Sequence, residues 1–205
     1  MTIIKIDTPE PAKHEKSLFE KLLTVHKNVH DHSPRSLTFL LDRSSSMGES
    51  CDNGKRKIDM LILAVQQVHT QHHTRIPMNF VAFNLRVSEM IYSQVLDLEP
   101  SGGTAISTAL QTLLDKAKGS QAILVSDGQS YDQHECFETC EKLAGKMVVH
   151  TVACGEDADE ELLRTIAELT GGLFFKAGNP IDLPNVFKEL AAKAVAALTE
   201  GKRRV

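Results

Sequence analysis

Three short stretches of this chain set oxygen-bearing side chains beside apolar runs. Asp42-Arg43-Ser44-Ser45-Ser46-Met47-Gly48 follows Phe39-Leu40-Leu41, Ser101-Gly102-Gly103-Thr104 precedes a helical pattern, and Ser126-Asp127-Gly128 follows Ile123-Leu124-Val125. Asp42 and Asp127 are the informative pair. Two carboxylates about 5 Å apart repel by roughly 3 kcal/mol at an effective dielectric of 20, so such a pair wants a proton or a cation between them. With carboxylates and hydroxyls as donors, the matching cation is a hard one, Mg²⁺ or Mn²⁺, with Ca²⁺ less favoured. No His or Cys lies in these loops, which disfavours zinc there.

Buried strands and amphipathic helices must bring the loops together. Ser36–Leu41, Met78–Phe83, Ala122–Val125 and Met147–Ala153 are compact apolar runs bounded by Gly, Asp and Ser, and read as strands covered on both faces. Gly172–Phe175 reads as a last strand. Leu85–Tyr92 alternates and is expected to hairpin through Asn84 onto Met78–Phe83 as one antiparallel edge. Between them, Ile58, Leu61, Ile62, Val65 and Val68 mark a helical face, and Ala105–Lys118, Cys136–Leu143, Leu162–Leu169 and Val186–Leu198 give four more. Asp157 with Glu160 resembles a capping box for the fourth helix. The expected fold is α/β: a doubly wound, mostly parallel sheet with helices on both faces and ligand-binding loops at the carboxyl ends of its strands.

The chain has 205 residues, 41% of them hydrophobic and 24% charged, and a net charge of −4. These values suit a folded globular domain and give no basic footprint for nucleic acid. No apolar run approaches the ~18 residues of a membrane span, and Met1–Lys16 has no signal-type apolar core, so the expected setting is cytoplasmic. Residues 36–200 are expected to form the domain, 1–35 a helical extension with Phe19, Leu22 and Leu23 on one face, and 201–205 a basic tail. Cys136 and Cys140, four apart, read as reduced thiols on one helix face. His26, His30 and His32, and then His69, His72 and His73, read as solvated helix ends.

Asp42-x-Ser44-x-Ser46, Thr104 after two glycines, and Asp127-Gly128 after a buried strand together resemble the von Willebrand factor type A domain. The resemblance covers about Leu37 to Leu198, and the run from Gly155 through Leu162 to Thr170-Gly171-Gly172 is familiar from bacterial members. It implies a Rossmann-like fold and a complete metal-ion-dependent adhesion site. In that site Ser44, Ser46 and Thr104 would meet the metal through hydroxyls, while Asp42 and Asp127 would act largely through waters. Gly102 and Gly103 would let the backbone pass close to the ion. The implied function is a non-enzymatic protein-binding module whose cation is completed by an Asp or Glu of a partner, such as an AAA+ ATPase or a stress-response component. Relatives such as the integrin inserted domains imply a mobile last helix, here Pro184–Leu198, whose alanines 191, 192, 194, 196 and 197 suggest a shallow face. The competing reading is a Mg²⁺-dependent phosphatase of haloacid-dehalogenase type with Asp42 as nucleophile, but Ser44 stands where its general acid would be.

Overall fold

The structure is a computed structural model that describes residues 35–116, 118–127 and 130–200. Apart from Arg35, the extension expected over 1–35, including His26, His30 and His32, lies outside the described residues, as does the tail 201–205. Six strands form one sheet: β1 (Leu37–Asp42), β2 (Met78–Phe83), β3 (Val87–Met90), β4 (Gln121–Ser126), β5 (Val148–Cys154) and β6 (Phe174–Ala177). Their order is β3-β2-β1-β4-β5-β6, with every neighbouring pair parallel except β2 and β3. The winding therefore reverses between β1 and β4. In an open parallel sheet the carboxyl ends flanking that reversal splay apart and leave a crevice. Asp42 is the last residue of β1, and Asp127 follows the last residue of β4.

Side chains alternate across β1, so Phe39 and Leu41 point to one layer and Leu40 to the other. The first layer holds the helices α1 (Lys57–His72) and α6 (Leu183–Glu200). There Phe39 stacks on Phe80 at 5.4 Å and leans on Phe187 at 5.5 Å. After β3 comes a single helical turn, α2 (Tyr92–Val95). The second layer is built by α3 (Ile106–Gln111), α4 (Gln133–Leu143) and α5 (Glu160–Thr170). Among the described residues no helix is long and apolar enough to cross a membrane.

Four local expectations are corrected. The helix expected over Ala105–Lys118 stops at Gln111, and Thr112 to Lys116 continue as turns closed by i→i−3 bonds such as Leu113 N to Leu110 O. Leu113 remains buried, so the apolar spacing persists after the helix has tightened. The cap of α5 is Asp159, which accepts from Leu162 N at 3.0 Å, rather than Asp157. The last strand starts at Phe174 because Gly171 and Gly172 close α5 instead: Gly171 is left-handed at φ 75° and Gly172 N donates to Ala167 O. The packed face of α6 is not shallow. Phe187, Leu190, Val195 and Leu198 are buried beside Ala191 and Ala194, while the 3.6-residue turn carries Ala192, Ala196 and Ala197 outward.

Gly172, two residues before β6, also lies close against the backbone of β5. A Cβ there would lie 2.0 Å from the Val149 carbonyl oxygen, whereas one on Gly171 would meet open space. Gly172→Ala is therefore expected to cost on the order of 3 kcal/mol in urea unfolding, because backbone rather than side chain must move. Gly171→Ala should cost only the roughly 1–2 kcal/mol of a left-handed alanine.

Candidate metal centre

The crevice is built by backbone before side chains enter it. Arg43 N donates to Phe83 O, carrying β1 into its loop alongside β2. Ser101 N donates to Arg43 O at 2.7 Å and Ser45 N to Gly102 O at 2.9 Å, so the loop bearing Thr104 is zipped to the loop bearing the serines. Gly102 needs its left-handed φ of 75° for that turn, and a Cβ on Gly103 would press within 3.2 Å of Leu85. These are the reasons for two glycines that the structure displays.

Asp42 has no exposed surface. Its Oδ1 accepts from Ser44 N at 2.7 Å and its Oδ2 from the Ser126 hydroxyl. Burial pushes its carboxyl up to about 6; the bonds from Ser126 and Ser44 hold that rise back, and the Asp127 charge adds to it. The Ser44 and Ser46 hydroxyls sit 3.0 Å apart, and Ser46 Oγ donates to Asp127 Oδ1 at 2.8 Å. Four of the five expected residues are thus linked: Ser44, Ser46 and Asp127 through side chains, and Asp42 through the Ser44 amide. Thr104 is buried on the loop zipped to the serines, and none of these hydrogen bonds involves its side chain.

The donor set fits a hard divalent cation. Two adjacent hydroxyls and two carboxylates supply oxygen and opposing charge, and the desolvated Asp42 gains from a cation nearby. Among the described residues no three His, Cys, Asp or Glu side chains gather as a softer metal would require. Cys136 and Cys140 are buried free thiols, and burial pushes both up, Cys140 to about 12. His69 is stacked rather than chelating: its ring lies 3.6 Å from Tyr92 and 4.7 Å from His73, beside a cavity of about 470 Å³. His72, read from sequence as part of a solvated helix end, is buried.

Sequence reading missed three residues. Lys57, the first residue of α1, donates to Asp127 Oδ2 at 2.8 Å and to Glu49 Oε2 at 2.6 Å. Burial pulls its ammonium down, but the bonds to Asp127 and Glu49 outweigh this and hold it above the usual lysine range. Ser130 and Asp132 tie the loop after Asp127 to the start of α3. Ser130 Oγ accepts from Ile106 N at 3.1 Å, Asp132 Oδ2 accepts from Ser107 N at 3.0 Å, and the Ser130 hydroxyl donates to Asp132 Oδ1. The sequence offered one signal for the latter pair, a Ser-x-Asp immediately before a helix.

A family model described as von Willebrand factor type A domain matches residues 35–174. The bovine (Bos taurus) calcium-activated chloride channel regulator 1 is 34% identical over 107 residues, 48% of this chain and 12% of that protein. The chain therefore spans only a small part of that relative's length. Among solved structures, the von Willebrand factor type A protein from Catenulispora acidiphila superposes with a TM-score of 0.67 at 21% identity, covering 80% of this chain and 43% of that one. The manganese-loaded Plasmodium vivax TRAP protein gives 0.55 at 18% identity, covering 78% and 74%. At such identities the two structures speak to the fold alone.

Asp42 generates a pH-dependent prediction for the protein held in EDTA. Its carboxyl rises from 3.8 to about 6 on folding, so folding favours the protonated form. Ionising it costs stability, beginning above pH 3.8 and complete above pH 6. Asp42→Asn keeps an acceptor for Ser44 N and should unfold at higher urea than wild type at pH 8, by up to about 3 kcal/mol. That advantage should shrink toward zero at pH 4.

Proposed function

Because this chain belongs to the von Willebrand factor type A family, we propose that its strand-end oxygen cluster holds Mg²⁺ or Mn²⁺ and that a partner protein's Asp or Glu completes the coordination. The observation that carries this reading is the run of hydrogen bonds joining Ser44, Ser46 and Asp127 above the buried Asp42, at the point where the sheet's winding reverses. Ser44, Ser46 and Thr104 would hold the ion with neutral oxygens, and Asp42 and Asp127 would balance its charge. When bound, the ion supplies a Lewis-acidic position for a hard anionic oxygen, which a carboxylate fills. The manganese in the Plasmodium vivax neighbour lends support to the choice of ion.

The work of this chain is to bind, without covalent chemistry. Asp42 is a poor nucleophile as placed: it is fully buried and both its oxygens accept hydrogen bonds. Ser44, two residues on, has a hydroxyl turned to Ser46, with no pKa near neutrality for acid–base work. Both points weigh against the phosphatase alternative. The cytoplasmic setting proposed with this function draws on the four free thiols, three of them buried. An AAA+ ATPase or a stress-response component remains the proposed class of partner.

Affinity capture with the whole chain as bait, run in Mg²⁺ and again in EDTA, tests the reading. Proteins retained in Mg²⁺ are expected to be lost in EDTA and also lost with Thr104→Ala in Mg²⁺. Partners that survive both treatments would contradict it. For the ion itself, the double variant Ser44→Ala, Ser46→Ala should weaken Mn²⁺ binding by at least about tenfold in calorimetry, having removed two oxygen ligands.

A further inference from the structure

We propose that Lys57 is a tethered competitor for the metal centre, its ammonium holding one oxygen of Asp127 and keeping the affinity of the cluster for a divalent cation low. The inference rests on the metal reading above and concerns a residue outside the adhesion motif. Lys57 opens α1, and its own amide donates to Glu49 O at 3.0 Å. That bond fixes where the side chain starts. The stem then passes the backbone of Gly155, with Cε and Nζ within 3.7 Å of where a Cβ would be. The ammonium ends between two carboxylates of unequal character. The Asp127 side chain is 2% exposed and Glu49 is 61% exposed, while Lys57 itself is 11% exposed.

Water screens the Glu49 contact, so the buried charge that Lys57 balances is that of Asp127. Ser46 Oγ holds the other oxygen of the same carboxylate. Asp127 is therefore fully engaged, by a hydroxyl on the motif side and by a cation on the helix side. Asp42, Asp127 and Lys57 together carry −1, where the two acids alone would carry −2. A divalent ion must enter beside a fixed positive charge, which lowers its affinity. Once it is there, the buried group totals +1 rather than zero, which favours an anionic group arriving from outside. Lys57 trades strength of metal binding for attraction to a carboxylate.

A purely structural lysine, stapling α1 to β4, makes the opposite prediction. Removing a staple loosens the cluster and weakens metal binding, whereas removing a competitor tightens it. The test is a Mn²⁺ titration of the whole chain followed by electron paramagnetic resonance of the free ion. It compares wild type with Lys57→Met, Lys57→Gln and Lys57→Arg, with circular dichroism to confirm folding. The Met and Gln variants are expected to bind Mn²⁺ at least about tenfold tighter, and the Arg variant, which keeps the charge, to stay near wild type. Met and Gln variants that bind no tighter than wild type, or that fail to fold, would overturn the proposal and leave the metal reading standing. If wild type binds no more Mn²⁺ than Asp127→Asn does, the metal reading itself fails and takes the proposal with it.

Discussion

A carboxylate buried at the end of a central strand is the constraint around which this molecule is arranged. Asp42 ends β1, has no access to water, and keeps its charge only with the Ser44 amide and the Ser126 hydroxyl to receive it. The Ser44 amide comes from the turn that Asp42 itself opens, and the Ser126 hydroxyl is at hand because β1 and β4 run parallel as neighbours, in register from Leu37 opposite Gln121 to Leu41 opposite Val125. The sheet's order supplies that adjacency, and two apolar layers hold the order. An acid placed there gives up its solvation, a cost that the cation of the proposed function would offset.

Around Asp42 the charges are graded by depth. Asp127 is nearly buried and shared between a hydroxyl and an ammonium, and Glu49 lies at the surface on the same ammonium. Loops that meet at one rim are locked to each other by backbone and side-chain bonds: Ser45 to Gly102, Ile106 to Ser130, Ser107 to Asp132. The oxygens are thus placed by the framework itself, and under the proposed metal reading binding would not have to order three separate loops. Preorganisation of this kind lowers the entropic cost of association.

Much of the frame was legible in the sequence because it depends on local signals. Phe39-Leu40-Leu41 and Ile123-Leu124-Val125 are apolar on both faces, which in a chain alternating with helices means central parallel strands. Asp42 follows the first run directly and Asp127 follows the second after Ser126, so their convergence on one rim follows from the topology rule. Asn84 turns β2 into β3 as expected, accepting from Arg86 N. Boundaries were less legible. Asp157 and Asp159 are both plausible caps in an acidic run, and only the direction of the chain entering α5 selects the second. At Thr112 a hydroxyl bond to Ala109 O accompanies the tightening of α3, a local competition that hydrophobic spacing does not register. Lys57 was least legible of all. Seventy positions separate it from Asp127, and in one dimension it is an ordinary lysine in a helix's first turn.

The most direct measurement of the central claim is anomalous diffraction at the manganese edge from crystals of the chain grown with Mn²⁺. The account predicts one strong peak in the crevice, bordered by the Ser44 and Ser46 hydroxyls and within reach of the Asp127 carboxylate. A crevice without anomalous density at saturating Mn²⁺, with the Lys57 ammonium still seated on Asp127, would contradict it.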